Sequence, residues 1–231
     1  MTKTKGEPVC IGISLGASEV RVARWTGNYV SDVRSATNAP FVPRACAAPV
    51  LAFDDQCASV LKKTPDAVIV DVIAWIRQNP GVVGGMQPVD GMFAFPQHPP
   101  LPATYICREF FAFVFAEVGV VPTDCVVTVP SVFTIADRNR VHLVVSDLGI
   151  PRVRVIDEID AIAFAVLPFH YGGVAHYVDQ HPPKHLYCTL DVGASKTTVS
   201  SFLVDGLGCT ILVSETKPLG GEHLTKRLVD H

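Results

Sequence analysis

The chain has 231 residues, 48% of them hydrophobic and 18% charged, and a formal net charge of −3. That length suits one large or two small domains around a substantial core, and the composition is globular rather than disordered. With no long run of either charge sign, the chain carries no electrostatic footprint for nucleic acid.

Taken in order, Val9 to Leu15, Glu19 to Trp25 and Asn28 to Arg34 read as strands. Tight turns at Gly16-Ala17-Ser18 and Thr26-Gly27 make them an antiparallel meander. Ala39 to Asp55 is interrupted by proline and extended. Asp66 to Gln78 carries a helical pattern in Ile69, Val72, Ile73 and Ile76, which the run "NPGVVGG" breaks. Met86 to Pro102 is rich in Pro and Gly and reads as a loop or a worn-down subdomain in which Phe93 and Phe95 need cover.

A helix is predicted over about Ala103 to Val118, then a strand from Asp124 to Pro130. The segment from Phe110 to Val121 is the most apolar of the chain, but Glu117 breaks it and Pro122 ends it. It is too short to span a bilayer and predicts a buried core helix. Thr134, with Asp137 three residues on, marks a capping-box-like start for a helix running to Leu148. "RVRVID" reads as a strand, and "EIDAIAFAVL" as a helix apolar all round and hence buried. A second meander follows at Leu186 to Asp191, Val199 to Val204 and Cys209 to Glu215, turned at Asp205-Gly206, and a last helix begins near Gly220.

Seven cysteines, an odd count without a C-x-x-C pair, predict buried free thiols and a reducing compartment. The opening "MTKTKGEPVC" reaches no apolar run before the first strand, which predicts no signal peptide and a cytoplasmic protein without a membrane partner. His170, His176, His181 and His185 flank a Gly- and Pro-rich stretch and read as a surface loop rather than a metal site.

The element order predicts a duplicated α/β architecture with a mixed sheet. The repeat is visible in the residues: "ISLGASEV" opens the first meander and "LDVGASKT" the second, both with Gly-Ala-Ser after an apolar strand. Asp191 stands two residues before its glycine, where the first copy has Ser14. Each turn offers backbone N–H groups to a polyphosphate, and a carboxylate at a strand end suits a Mg²⁺ held through water. "GASKT" is not a phosphate-binding P-loop, because Ser195 occupies the place before the lysine that requires glycine. Asp191 and Glu158 also have ordinary readings, as a strand-end turn residue and a charge favouring a helix N-terminus. Lys196 reads as a solvated loop lysine or as a phosphate contact.

Four stretches, in order, resemble the DnaK-like, seventy-kilodalton heat-shock chaperones. "IGISLGAS" resembles their first phosphate loop, and "CVVTVP" with "VIDEIDAIAFAV" their strand, helix, strand and Ala-rich helix. "LDVGASKTTVS" resembles their second phosphate loop, and "LGGEHLTKRLVDH" their L-G-G-E segment. The resemblance implies an actin-like ATPase (ribonuclease H-like) fold with duplicated βββαβα-type lobes around a nucleotide cleft. It implies a first lobe over 1–184 with a reduced insertion at about 39–102, and an incomplete second lobe from 185 to 231. It implies ATP or ADP with Mg²⁺ as ligands, Asp191 as a catalytic and metal-side acid, and Glu158 as the glutamate near the attacking water. Ser14, Gly16, Ala17 and Ser18 would form one nucleotide contact, and Gly193, Ala194, Ser195 and Lys196 the other.

The departures from the family pattern bear on activity. Ser14 replaces an aspartate, Ala17 a threonine, and Ala194, Ser195 and Lys196 replace Gly-Gly-Thr. Thr198 replaces a further acid, Val72 stands at the place of the catalytic lysine, and Ile159 replaces a proline. Phosphoryl transfer rests on positioning and charge neutralisation, and one lost preorganised group typically costs about 10²–10³ in rate. The expectation is therefore a chaperone or co-chaperone domain that binds nucleotide and hydrolyses it poorly. Its first loop resembles that of the ribosome-associated Ssz type, which implies a J-domain partner and the ribosome, with unfolded clients only through a further C-terminal domain. Two rivals stand beside it: an active ATP-dependent chaperone ATPase, with Ser14 and Lys196 compensating, and a nucleotide-free interaction scaffold.

Overall fold

The computed structural model describes residues 9–16, 18–25, 27, 30–35, 39–47, 51–77, 85–95, 98–170, 184–205 and 208–229. Among these, thirteen strands lie in four sheets with five α-helices, a mixed α/β architecture. No helix among the described residues is long and apolar enough to cross a membrane. The chain divides into two compact units, one of Met1–Val127 with Phe133–Val155, the other of Thr128–Val132 with Ile156–His231.

The first unit opens with the predicted meander, β1 (Cys10–Leu15), β2 (Val20–Trp25) and β3 (Val30–Val33), each antiparallel to the next. Alternation along β1 buries Ile11, Ile13 and Leu15 completely, or to within 1%. Two more strands extend this sheet on the β1 side, β9 (Asp124–Val129) and then β10 (Arg152–Asp157). They are connected through α3 (Ile135–Ser146). That helix starts as its sequence predicts: Thr134 Oγ1 accepts from the Asp137 N–H at 3.2 Å, and the Asp137 carboxylate accepts from the Thr134 N–H at 2.9 Å. It ends two residues before the predicted Leu148.

Helix α2 (Ala103–Val118) matches its predicted span and buries Ile106, Cys107, Phe110, Phe111, Val114 and Phe115. Its aromatic rings pack edge-on against Phe41 and Phe53 with centroids 5.9–6.2 Å apart. Each fully buried Phe contributes about 1.5–3 kcal/mol. The most apolar run of the chain is thus a core helix. Cys46, Cys57, Cys107 and Cys125 are buried, and all seven cysteines are free thiols.

Between the meander and α2 the expectations need correcting. No α-helix forms among the described residues of 66–78, which end at Arg77. Val68 and Ile69 form strand β6 against β4 (Ala45–Ala47), which also pairs with β5 (Leu51–Phe53), and only a 3-10 turn at Ala74–Ile76 follows. The reason is that Val68, Ile69, Val72, Ile73 and Ile76 are all buried to within 3%. Burial on every side needs no helical face, and β-branched residues prefer extended backbone. A short helix α1 (Ala58–Lys63) lies beyond the reach of the sequence pattern. The Pro- and Gly-rich run holds a small hairpin, β7 (Met92–Phe93) with β8 (Leu101–Pro102), and Phe93 and Phe95 find the cover they need.

The second unit contains α4 (Glu158–His170) and the second meander, β11 (His185–Val192), β12 (Thr197–Asp205) and β13 (Gly208–Lys217), followed by α5 (Gly221–Val229). Helix α4 lays Ile159 and Ala163 on Phe202 and Val204, beside Tyr187, which stacks on Phe202 at 5.4 Å. It is not buried all round, since Phe164 is 56% exposed. The opposite face of this sheet is apolar and exposed, with Leu186, Leu190, Val192, Val199 and Val213 between 51% and 67% accessible. His176 and His181, and the Gly206 end of the Asp205-Gly206 turn, lie outside the described residues.

Candidate functional site

The two Gly-Ala-Ser turns have the same construction. In the first hairpin the last strand pair is Leu15 with Val20, leaving a four-residue loop over 16–19. In the second, Val192 pairs with Thr197 and the loop is 193–196. Each loop is closed by one backbone bond of the same kind. The Gly16 N–H donates to the Glu19 carbonyl at 3.1 Å, and the Gly193 N–H donates to the Lys196 carbonyl at 2.9 Å. Glycine is required at Gly16, where a Cβ would stand 2.6 Å from the Glu19 carbonyl oxygen.

Ser14 and Asp191 hold equivalent register positions. Ser14 is paired with Arg21, and Asp191 with Thr198. Both are half-buried within their strands, so Asp191 is a strand residue rather than a turn residue. Thr198 is buried and shares a hydrogen bond with Thr216 at 3.0 Å. In the first loop Ser18 is exposed, and Ala17 lies outside the described residues.

The second loop is anchored from behind by helix α5. The Gly221 N–H donates to the Gly193 carbonyl at 3.0 Å and the Glu222 N–H to the Ala194 carbonyl at 2.9 Å. The helix thus offers two of its initial N–H groups, which have no partner inside the helix, to the loop carbonyls. Gly220 makes this approach possible: a Cβ there would lie 2.3 Å from the Ala194 oxygen and 2.5 Å from the Gly193 oxygen. The "LGGE" stretch is therefore part of the loop's construction, a role its sequence signalled without revealing the contact.

Lys196 is not a solvated loop lysine. Its Nζ donates to Glu158 Oε2 at 2.9 Å, with the two side chains about one-fifth exposed, 19% and 21%. This ties the loop to the first residue of α4. Burial pushes the Glu158 carboxyl above its ordinary range, Lys196 draws it back down, and nearby Asp191 and Asp157 push it up again. Glu158 is thus paired with Lys196 and lies within the electrostatic influence of Asp191 and of Asp157, a residue the sequence reading missed. Ala194 and Ser195 complete the loop, both half-buried.

The donor set does not favour a divalent ion. No group of three or more His, Cys, Asp or Glu among the described residues is arranged as metal ligands, and the ammonium of Lys196 already balances Glu158. Val72, at the place expected for a lysine, is a core residue: its N–H donates to the Pro43 carbonyl at 2.8 Å and it is 1% exposed. An apolar cavity of about 510 Å³ opens elsewhere, in the first unit, lined by Phe115, Val120, Val121, Leu148 and Ile150. Its lining has no titratable side chain, so it offers no acid–base chemistry.

No protein-family model matches this chain, and no curated protein matches it.

Proposed function

We propose that the chain is a chaperone-type nucleotide-binding domain of actin-like fold that binds ATP or ADP and hydrolyses it slowly or not at all. The observation that carries this reading is the common construction of the two hairpin loops, with the same register, the same closing bond and Gly-Ala-Ser in both. A repeated, glycine-opened loop beside a lysine and an acid suits phosphate oxygens, which take backbone N–H and ammonium donors. Poor turnover follows from the residues at the equivalent positions: Ser14 brings no carboxylate, Val72 is a packed core residue, and Thr198 is an alcohol bonded to Thr216. On this reading the protein acts beside a J-domain co-chaperone rather than through its own hydrolytic cycle.

The test is titration calorimetry with ATP and ADP, followed by a turnover assay beside an ordinary DnaK-like nucleotide-binding domain. Measurable binding with turnover at a small fraction of the reference supports the reading. Turnover equal to the reference and abolished by Asp191→Ala makes the chain an active ATPase. Absence of binding leaves the interaction scaffold, a reading favoured by the exposed apolar face of the second meander.

A further inference from the structure

We propose that Lys196 is a built-in cation at the second loop, so that the chain holds the polyphosphate of a nucleotide without a divalent metal. The inference rests on the nucleotide-binding reading and changes its chemistry. A cation beside phosphate oxygens offsets part of their negative charge, which is one service Mg²⁺ gives in phosphate sites. Here the carboxylates are Glu158, with Asp191 and Asp157 close enough to influence it. The Lys196 ammonium, carried by the loop itself, stands 2.9 Å from Glu158.

Three features fit this role. The ammonium has three donors, and the bond to Glu158 uses one. The side chain is 19% exposed, so its charge is held in place and only partly hydrated. The loop is fixed, since the carbonyls of Gly193 and Ala194 accept from the start of α5 at 3.0 and 2.9 Å. With those carbonyls committed to the helix, the loop's acceptors are drawn away from an arriving anion. A divalent ion at the Glu158 carboxylate would have to approach the lysine charge, 2.9 Å away.

The test measures affinity of the full chain for ATP and for inorganic tripolyphosphate by titration calorimetry, once in excess EDTA and once in magnesium. Three proteins are compared: wild type, Lys196→Gln and Glu158→Gln. Wild type is expected to bind both ligands in EDTA as tightly as in magnesium, or more tightly. Lys196→Gln is expected to lose about tenfold or more in EDTA, the worth of one charge-assisted hydrogen bond. Glu158→Gln is expected to tighten metal-free binding, because the ammonium loses its carboxylate partner. A merely structural ion pair would instead weaken binding equally in both variants, and that result overturns the proposal. Wild-type binding that appears only with magnesium overturns the proposal and leaves the nucleotide reading standing. Absence of binding in either buffer overturns both. Circular dichroism of the free variants checks folding, and the opposite signs expected for two substitutions at one ion pair keep loss of structure from imitating the result.

Discussion

Lys196 and Glu158 form an ion pair that joins a hairpin loop to the first residue of a helix 38 positions away in sequence. Removing either partner alone leaves the other's charge largely out of water. We expect Lys196→Met and Glu158→Gln each to lower stability by about 1–3 kcal/mol, and the double variant to recover part of the sum. Urea denaturation of the four proteins checks this; strict additivity would show that the pair is not coupled.

The same pair sets a pH dependence. Burial raises the Glu158 carboxyl above its ordinary value of 4.5, with Lys196 opposing the rise. The folded state therefore holds this proton to higher pH than the unfolded chain does. Its contribution to stability falls as pH climbs from the ordinary carboxylate range through the raised folded value. The expected outcome is a component of the urea midpoint that declines over that window in wild type and is missing from Glu158→Gln. A wild-type to variant difference of the opposite slope would contradict the assignment.

Gly220 and Gly221 separate the close approach from simple helix propensity. Alanine at Gly220 would place a Cβ 2.3 Å from the Ala194 oxygen, whereas at Gly221 the nearest contact is 4.0 Å, to the Gly193 oxygen. Gly220→Ala should cost about 1–3 kcal/mol through forced displacement of the loop and should weaken phosphate binding. Gly221→Ala should be neutral or stabilise by up to about 1 kcal/mol. Thermal melts with and without tripolyphosphate check both, and equal effects would show that α5 does not hold the loop.

A matched pair of strand residues tests the repeat itself. Leu15 and Val192 each precede the loop glycine, yet Leu15 is 0% exposed and Val192 58%. Leu15→Ala should cost about 2–5 kcal/mol, while Val192→Ala should stay within about 1 kcal/mol. Denaturation midpoints check the contrast; a large loss at Val192 would mean that the second sheet face is covered in solution.

The sequence pattern was most legible where chemistry is local. The Thr134–Asp137 cap, the span of α2 and both meanders follow from residues a few positions apart. It failed where tertiary contact decides. The run Ile69, Val72, Ile73 and Ile76 has helical spacing but is buried on all sides, so spacing carried no information about a face. Leu190 and Val192 alternate as Ile13 and Leu15 do, and only packing distinguishes an exposed face from a covered one. At the site, Gly193, Asp191 and Glu158 could be named from motifs. The bond from Lys196 to Glu158 and the contact of Gly220 with Ala194 join distant segments and had no local signal.

The measurement that bears most directly on the account is backbone amide NMR of the ¹⁵N-labelled chain titrated with ATP in EDTA. The amides of Gly193, Ala194, Ser195 and Lys196 are expected to shift together and saturably, Glu222 at the start of α5 to follow them, and Lys196→Gln to suppress the response. Shifts confined to other parts of the chain, or none on these residues at saturating nucleotide, would contradict it.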